Sequence, residues 1–220
     1  MFLSVDLATR LIDVLGALLL FTMLLILASG QLFRAIYAVA AQAAFLGVAG
    51  AVLAAATGNV DLWIIAAITI GAKAIFLPWL LLRVVRRVQI SREIEAVIPM
   101  HVTLALAAAI VVLAFHLNAS LGPVRQAITG NALPVGVTLI LIGVLVMASR
   151  RKALVQMVGL FASENGIFFT AMAISQGMPL IIEIGVILDV VLGALVMGIL
   201  VLRVRSSVDA DIADLESLKG

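Results

Sequence analysis

Seven stretches of this chain are each long and apolar enough to cross a lipid bilayer, and that repetition constrains the fold more than any other feature. The hydrocarbon core takes about 20 mostly apolar helical residues per crossing. The stretches run over residues 10–29, 35–57, 61–82, 98–117, 132–149, 153–175 and 179–202. Turn or charge signals divide them: Ser29-Gly30-Gln31, Thr57-Gly58-Asn59, the basic run Arg83 to Glu95, the loop Asn118 to Asn131, Arg150-Arg151-Lys152 and Gln176-Gly177-Met178-Pro179. None shows the period-two alternation of a membrane barrel strand. The sequence therefore predicts an all-α, polytopic membrane protein of about seven transmembrane helices.

Composition agrees. Hydrophobic residues make up 65% of the chain and charged residues 12%, where a soluble domain carries roughly 45–50% and about 25%. There are no cysteines, which excludes disulfides, iron–sulfur clusters and thiolate metal sites held by this chain. The two histidines, His101 and His116, are too far apart for a self-contained metal or haem site, so no cofactor is expected. Met1 to Ala8 holds Asp6 and no basic cluster, so the first stretch reads as a permanent helix rather than a cleavable signal.

The basic residues test the helix count. With the N-terminus outside, the inner loops collect Arg34, Arg83, Arg86, Arg87, Arg92, Arg150, Arg151, Lys152, Arg203, Arg205 and Lys219, which is 11 of the 14. Arg10 and Arg125 fall outside, and Lys73 lies within a span. This matches the positive-inside rule and places the C-terminus in the cytoplasm, in a multi-pass protein of the inner (cytoplasmic) membrane. The tail, 206–220, is acidic and carries Ile212, Leu215 and Leu218 at helical spacing. It reads either as a solvated tail or as a short helix that docks on a cytoplasmic neighbour.

Three ionisable residues fall near the middle of spans: Lys73 in the third, Glu164 in the sixth and Asp189 in the seventh. Each costs about 2.5–3.5 kcal/mol at the bilayer centre even on the lenient insertion scale. Such residues face protein or water and often mark ion pathways. Burial raises a carboxylate's pKa and lowers a lysine's, and an adjacent opposite charge reverses both shifts. A carboxylate and a lysine that approach and separate therefore exchange proton affinity, as a relay requires. The competing reading is an interhelical pair of Lys73 with Glu164 or Asp189 that only fixes packing. Asn165, Gln156 and Gln42 are candidates to carry hydrogen bonds or water along the path. Glu183, near the outer end of the seventh span, is a candidate proton exit; Asp13 is a weaker one. His101 sits at the inner mouth of the fourth span and His116 at the outer mouth. Pro78, five residues after Lys73, is expected to kink the third span. Gly185, Asp189 and Gly193 share a small-residue stripe, and Gly159 and Gly166 serve packing in the sixth span.

From about Val135 onward the chain resembles the three-helix K subunit of respiratory complex I, a fold shared with the C subunit of multisubunit cation antiporters. The resemblance is carried by Arg150-Arg151-Lys152-Ala153-Leu154-Val155-Gln156-Met157-Val158-Gly159-Leu160, the membrane carboxylate that follows, Leu188-Asp189-Val190-Val191-Leu192-Gly193-Ala194-Leu195, and the acidic tail. With Gly71-Ala72-Lys73-Ala74-Ile75-Phe76-Leu77-Pro78-Trp79 added, the whole chain resembles hydrogenase-4 component E, a membrane subunit of energy-converting nickel–iron hydrogenases and formate hydrogenlyases. That resemblance implies a non-catalytic subunit of an oxidoreductase complex, with no active site of its own. It would contribute buried charges to proton translocation in the membrane arm of a complex-I-like redox-driven pump. The implied partners are antiporter-like membrane subunits, a peripheral nickel–iron hydrogenase and iron–sulfur module, and lipid, with no nucleic acid. Asp189 matches one of the family's two membrane glutamates. The other falls on Phe161, whereas this chain offers Glu164, about 4.5 Å further along the helix. The alternatives are an assembly subunit that conducts nothing, a cation/proton antiporter subunit and a stand-alone ion carrier.

The orientation pattern divides the chain into an N-terminal three-helix unit (1–95), a linking fourth helix and outer loop (96–131), a K-like three-helix unit (132–205) and the cytoplasmic tail (206–220). The first three spans and the last three share orientation and loop pattern, which suggests a parallel duplication.

Overall fold

The computed structural model describes residues 3–87, 96–120 and 131–175. The seventh apolar stretch with Glu183, Gly185, Asp189 and Gly193, the tail 206–220, most of the basic run (88–95) and the loop 121–130 with Arg125 lie outside the described residues.

Every major element is a helix, and the local sequence explains most of the ends. The first, α1 (Val5–Ala28), starts at Ser4, whose Oγ accepts from the Leu7 N–H at 3.4 Å, satisfying one of the orphan donors of the first turn. The second, α2 (Leu32–Thr57), stops at Gly58, which adopts φ 74° and donates its N–H to the Ala54 carbonyl. That left-handed position favours glycine. Asn59 then caps α3 (Val60–Ile68) by accepting from the Asp61 N–H at 2.9 Å.

The third span is not a uniform α-helix. After α3 it widens into a π-helical segment, Thr69–Phe76, and resumes as α4 (Leu77–Arg87). At the end of the wide segment the Leu77 N–H donates to the Ala72 carbonyl, five residues back. The next residue is Pro78, which has no N–H and whose ring would press on the carbonyl of Ala74 in a tight α-turn. Sequence leads to an expected kink here, and the structure answers it with a change of helical register. The remaining helices are α5 (Met100–Ser120), α6 (Ala132–Ser149) and α7 (Ala153–Ser175).

Helices α1, α2, α7 and α6 form a four-helix ring, each packed on its two neighbours. The third span lies outside against α2, and α5 lies outside α6 and α1. The tightest seam joins α6 to α7. Gly136 and Gly143 on α6, seven residues apart, oppose Gly166 and Gly159 on α7, also seven apart. A Cβ on Gly143 would stand 2.7 Å from the Gly159 carbonyl oxygen, and one on Gly166 would stand 2.8 Å from that of Gly136. Small residues let backbones approach closely where lipid supplies no hydrophobic drive between helices. Ser163 Oγ adds a donor to the Ile140 carbonyl across this seam at 3.1 Å.

Among the described residues, six helical spans are long and apolar enough to cross a membrane. The chain is a multi-pass helical membrane protein. Its outward faces carry Leu24, Leu25, Trp63, Ile75, Val112 and Leu113, all exposed, as contact with lipid requires.

Candidate functional site

The fold buries a cation and an anion against one another at mid-depth. Glu164 stands at the midpoint of α7, and Lys73 lies in the π-helical segment. About 15 Å of helix separates Lys73 from Arg83 at the end of its span, half the thickness of the hydrocarbon core. Lys73 Nζ is 3.4 Å from Glu164 Oε1, and the two residues are 7% and 5% exposed. Phe168, one turn beyond Glu164 on the same face of α7, offers its ring to the ammonium at 5.8 Å from the centroid, within cation–π range.

Local packing brings the lysine there. Ile70, in the first turn of the π-helical segment, lies directly over Gly47 of α2, where no Cβ would fit beside it. Ala66, one turn earlier, faces Gly50, where an added Cβ would meet its methyl at an ordinary contact distance of 3.5 Å. The third span therefore seats deeply on α2, and the long Lys73 side chain reaches past α2 to α7.

A second polar unit lies beside the pair. Asn165 Nδ2 donates to Gln42 Oε1 at 3.1 Å, and Gln42 Nε2 donates to the Leu19 carbonyl at 3.3 Å, with Met23 Sδ 3.8 Å away. Gln42 is fully buried. This chain of neutral hydrogen bonds ties α7 to α2 and α1. Because Asn165 follows Glu164 directly, it fixes the rotation of α7 about its axis, and with it the direction in which Glu164 points.

Four of the residues singled out in the sequence thus come together: Lys73, Glu164, Asn165 and Gln42. Two do not. Gln156 is exposed in the first turn of α7 and donates to the Arg150 carbonyl at 2.9 Å. His101 is exposed in the first turn of α5. Asp189 and Glu183 lie outside the described residues. Asp13, in the N-terminal half of α1, accepts from Asn131 Nδ2 at 3.2 Å. Phe168 was legible in principle, since it follows Glu164 by four residues and shares its face.

Arg150 is the feature that composition conceals. It sits between α6 and α7, only 6% exposed. Its Nη2 donates to the Leu27 carbonyl at the end of α1 at 2.8 Å, with Met100 Sδ of α5 4.0 Å away. The segment before α5 pairs alongside, Val97 N–H donating to the Ser149 carbonyl at 2.9 Å. One guanidinium therefore gathers the ends of four helices and satisfies an orphan carbonyl at a negative helix terminus. Burial pulls its pKa below the ordinary guanidinium value.

The Lys73–Glu164 site has a definite chemical capability. The ammonium–carboxylate form and the amine–carboxylic acid form carry the same net charge, so a proton can pass between them without moving charge in or out of the membrane. A proton added to the pair leaves a net positive charge and a proton removed leaves a negative one. Either state calls for a third ionisable group nearby.

Fold and site together define a class: a polytopic helical membrane protein with an ion pair sealed at the middle of its bundle. No family profile and no solved structure matches the chain. A curated protein of Mycobacterium tuberculosis, described as uncharacterized protein Rv0085, is 34% identical over 149 residues, covering 67% of this chain and 68% of its own length. The chain belongs to the same family as Rv0085.

Proposed function

We propose that this chain is a membrane-arm subunit of a complex-I-like, redox-driven ion pump of the inner membrane, and that Lys73 and Glu164 belong to its proton relay. The observation that carries this reading is the ion pair itself. Two charges at mid-depth are costly and poor stabilisers in their own right, so the 3.4 Å pairing of Lys73 with Glu164 is better accounted for by use than by stability. Asp189 is the third group that the charge balance calls for, with Glu183 as the exit. The resemblance to hydrogenase-4 component E supplies the kind of complex: antiporter-like membrane subunits and a nickel–iron hydrogenase module that carries the electrons.

The proposed topology has seven spans, the N-terminus outside and the C-terminus in the cytoplasm. The described helix ends support it. Arg34, Arg83, Arg86, Arg150, Arg151 and Lys152 lie at one end of the bundle, and Asp6, Arg10, Asp13 and Asp61 at the other.

The test is redox-linked proton uptake in native membrane vesicles carrying Glu164→Gln or Lys73→Met, with the complex recovered through a tag on this chain and its subunits identified by mass. The expected result is a nickel–iron hydrogenase and antiporter-like subunits in the complex, electron transfer that continues, and proton uptake reduced to leak. Unchanged uptake in both assembled variants would leave only an assembly role. A chain that purifies alone and moves cations in liposomes would overturn the complex altogether.

A further inference from the structure

The outer face of the third span carries an arrangement that the ion pair does not use. Phe76, Trp79, Arg83 and Arg86 follow at three- and four-residue spacing and are all exposed, so they form one stripe toward the inner end of the span. Phe76 and Trp79 pack at 6.1 Å between ring centroids, tilted by 30°. The Arg83 guanidinium lies over the Trp79 ring at 5.3 Å. Further toward the middle of the membrane the stripe continues as Ile75, Ala72 and Ile68, again exposed. Arg34, at the start of α2, stands at the same end of the bundle. None of Arg34, Arg83 and Arg86 is salt-bridged among the described residues, and no described carboxylate lies at this end.

From this we infer a binding site for an anionic phospholipid: the phosphate is held by Arg83 and Arg86, and an acyl chain lies along Trp79, Phe76, Ile75 and Ile68. Charge complementarity selects the occupant. An apolar protein helix offers the arginines no acceptor, and a zwitterionic lipid brings its own ammonium beside the phosphate, whereas an anionic phospholipid offers guanidinium-matched phosphate oxygens and a net negative charge. The Trp79 ring sits beneath Arg83 and limits its rotamers, so the cation is held in place before lipid arrives. Aromatic rings at headgroup depth and basic residues on the cytoplasmic side are recognised lipid contacts in general terms. The specific content here is a stacked Trp–Arg pair that continues into an apolar track. This site is independent of the pump reading, since it needs only the membrane location.

The test is native mass spectrometry of the full-length chain released from nanodiscs of equal phosphatidylglycerol and phosphatidylethanolamine. The expected result is selective retention of phosphatidylglycerol, lowered about fivefold by Arg83→Gln and again by Arg86→Gln, as each basic group near a headgroup contributes about 1 kcal/mol. Trp79→Ala weakens retention and Trp79→Phe preserves it. Arg151→Gln, exposed at the same end and with no cation–π contact among the described residues, leaves it unchanged. Equal retention of both lipids, or a loss in Arg151→Gln as large as in Arg83→Gln, overturns the site in favour of diffuse charge. Arg86 makes no described side-chain bond, so its variant folds independently of the Trp–Arg stack and decides the matter should Arg83→Gln not fold. A protein neighbour that shields Trp79 and Arg83 from lipid in the intact complex also overturns it.

Discussion

Lys73 and Arg150 are both cations buried to a similar degree, yet one meets a carboxylate at mid-depth and the other a backbone carbonyl at the end of a helix. The difference follows from position. At the membrane surface a guanidinium finds the unsatisfied carbonyls of a helix terminus and the negative end of its dipole, and no counter-ion is needed. Mid-helix carbonyls are already engaged within the helix, so a cation there needs an anion. A carbonyl cannot take up a proton and a carboxylate can. The Arg150 cluster is therefore a fixed joint, and the Lys73–Glu164 pair is a joint that chemistry can open.

The comparison is broken most directly by removing one member of the pair. Lys73→Met leaves the Glu164 carboxylate without its counter-charge and is expected to lower stability by about 3–5 kcal/mol. Adding Glu164→Leu restores most of it, since replacing both members of a buried pair by apolar residues is often neutral. Denaturation of the purified chain in mixed micelles gives both values. Equal losses in the single and the double variant would mean that Lys73 packs the site rather than balancing its charge.

Arg150→Ala is expected to cost about 1.5–3 kcal/mol, the range for a hydrogen bond from a charged group. No carboxylate substitution should rescue it. The loss should also stay constant between about pH 5 and pH 9. Burial lowers the Arg150 pKa, so the unfolded chain holds its proton more firmly and stability would rise only as pH climbs toward the folded value. A guanidinium remains charged throughout the working range. A deficit that changes across that window would show that an ionisable partner, not the Leu27 carbonyl, holds the arginine.

Much of this was legible in the sequence, and the reasons differ by feature. Helix α6 ends and helix α7 begins at the residues where polarity changes, around Arg150-Arg151-Lys152, because lipid penalises every exposed backbone group and charged flanks mark the limit. The mid-span charges were legible for the same reason. Their pairing was not: Lys73 had two carboxylates within plausible reach, and its approach to Glu164 follows from the seating of Ile70 on Gly47, while Asp189 lies outside the described residues. Gly159 and Gly166 stood out as packing residues, but their partners emerge only when the seven-residue interval is matched with Gly136 and Gly143 in the antiparallel helix. Arg150 could not be told from Arg151 beside it, since both satisfy the positive-inside rule and burial depends on tertiary packing. The π-helical register was visible only as the proline that it accommodates.

The Gln42 hydrogen bonds sharpen the comparison further, because they combine the two cases: a donor to a helix carbonyl, as Arg150 is at the end of α1, but a neutral one placed at mid-depth. Gln42→Ala and Asn165→Ala should each cost about 1 kcal/mol, and a double-mutant cycle should give a coupling of about 0.6 kcal/mol, as is usual for interhelical hydrogen bonds in membrane proteins. That is smaller than the expected loss at Arg150, because no charge is involved. If Gln42→Ala costs more than Arg150→Ala, depth rather than charge sets the strength of polar contacts in this bundle, and the surface joint is the weaker of the two. If Asn165→Ala leaves stability almost untouched but alters proton uptake in the vesicle assay of the proposed complex, the bond serves to aim Glu164 at Lys73 rather than to hold α7 against α2.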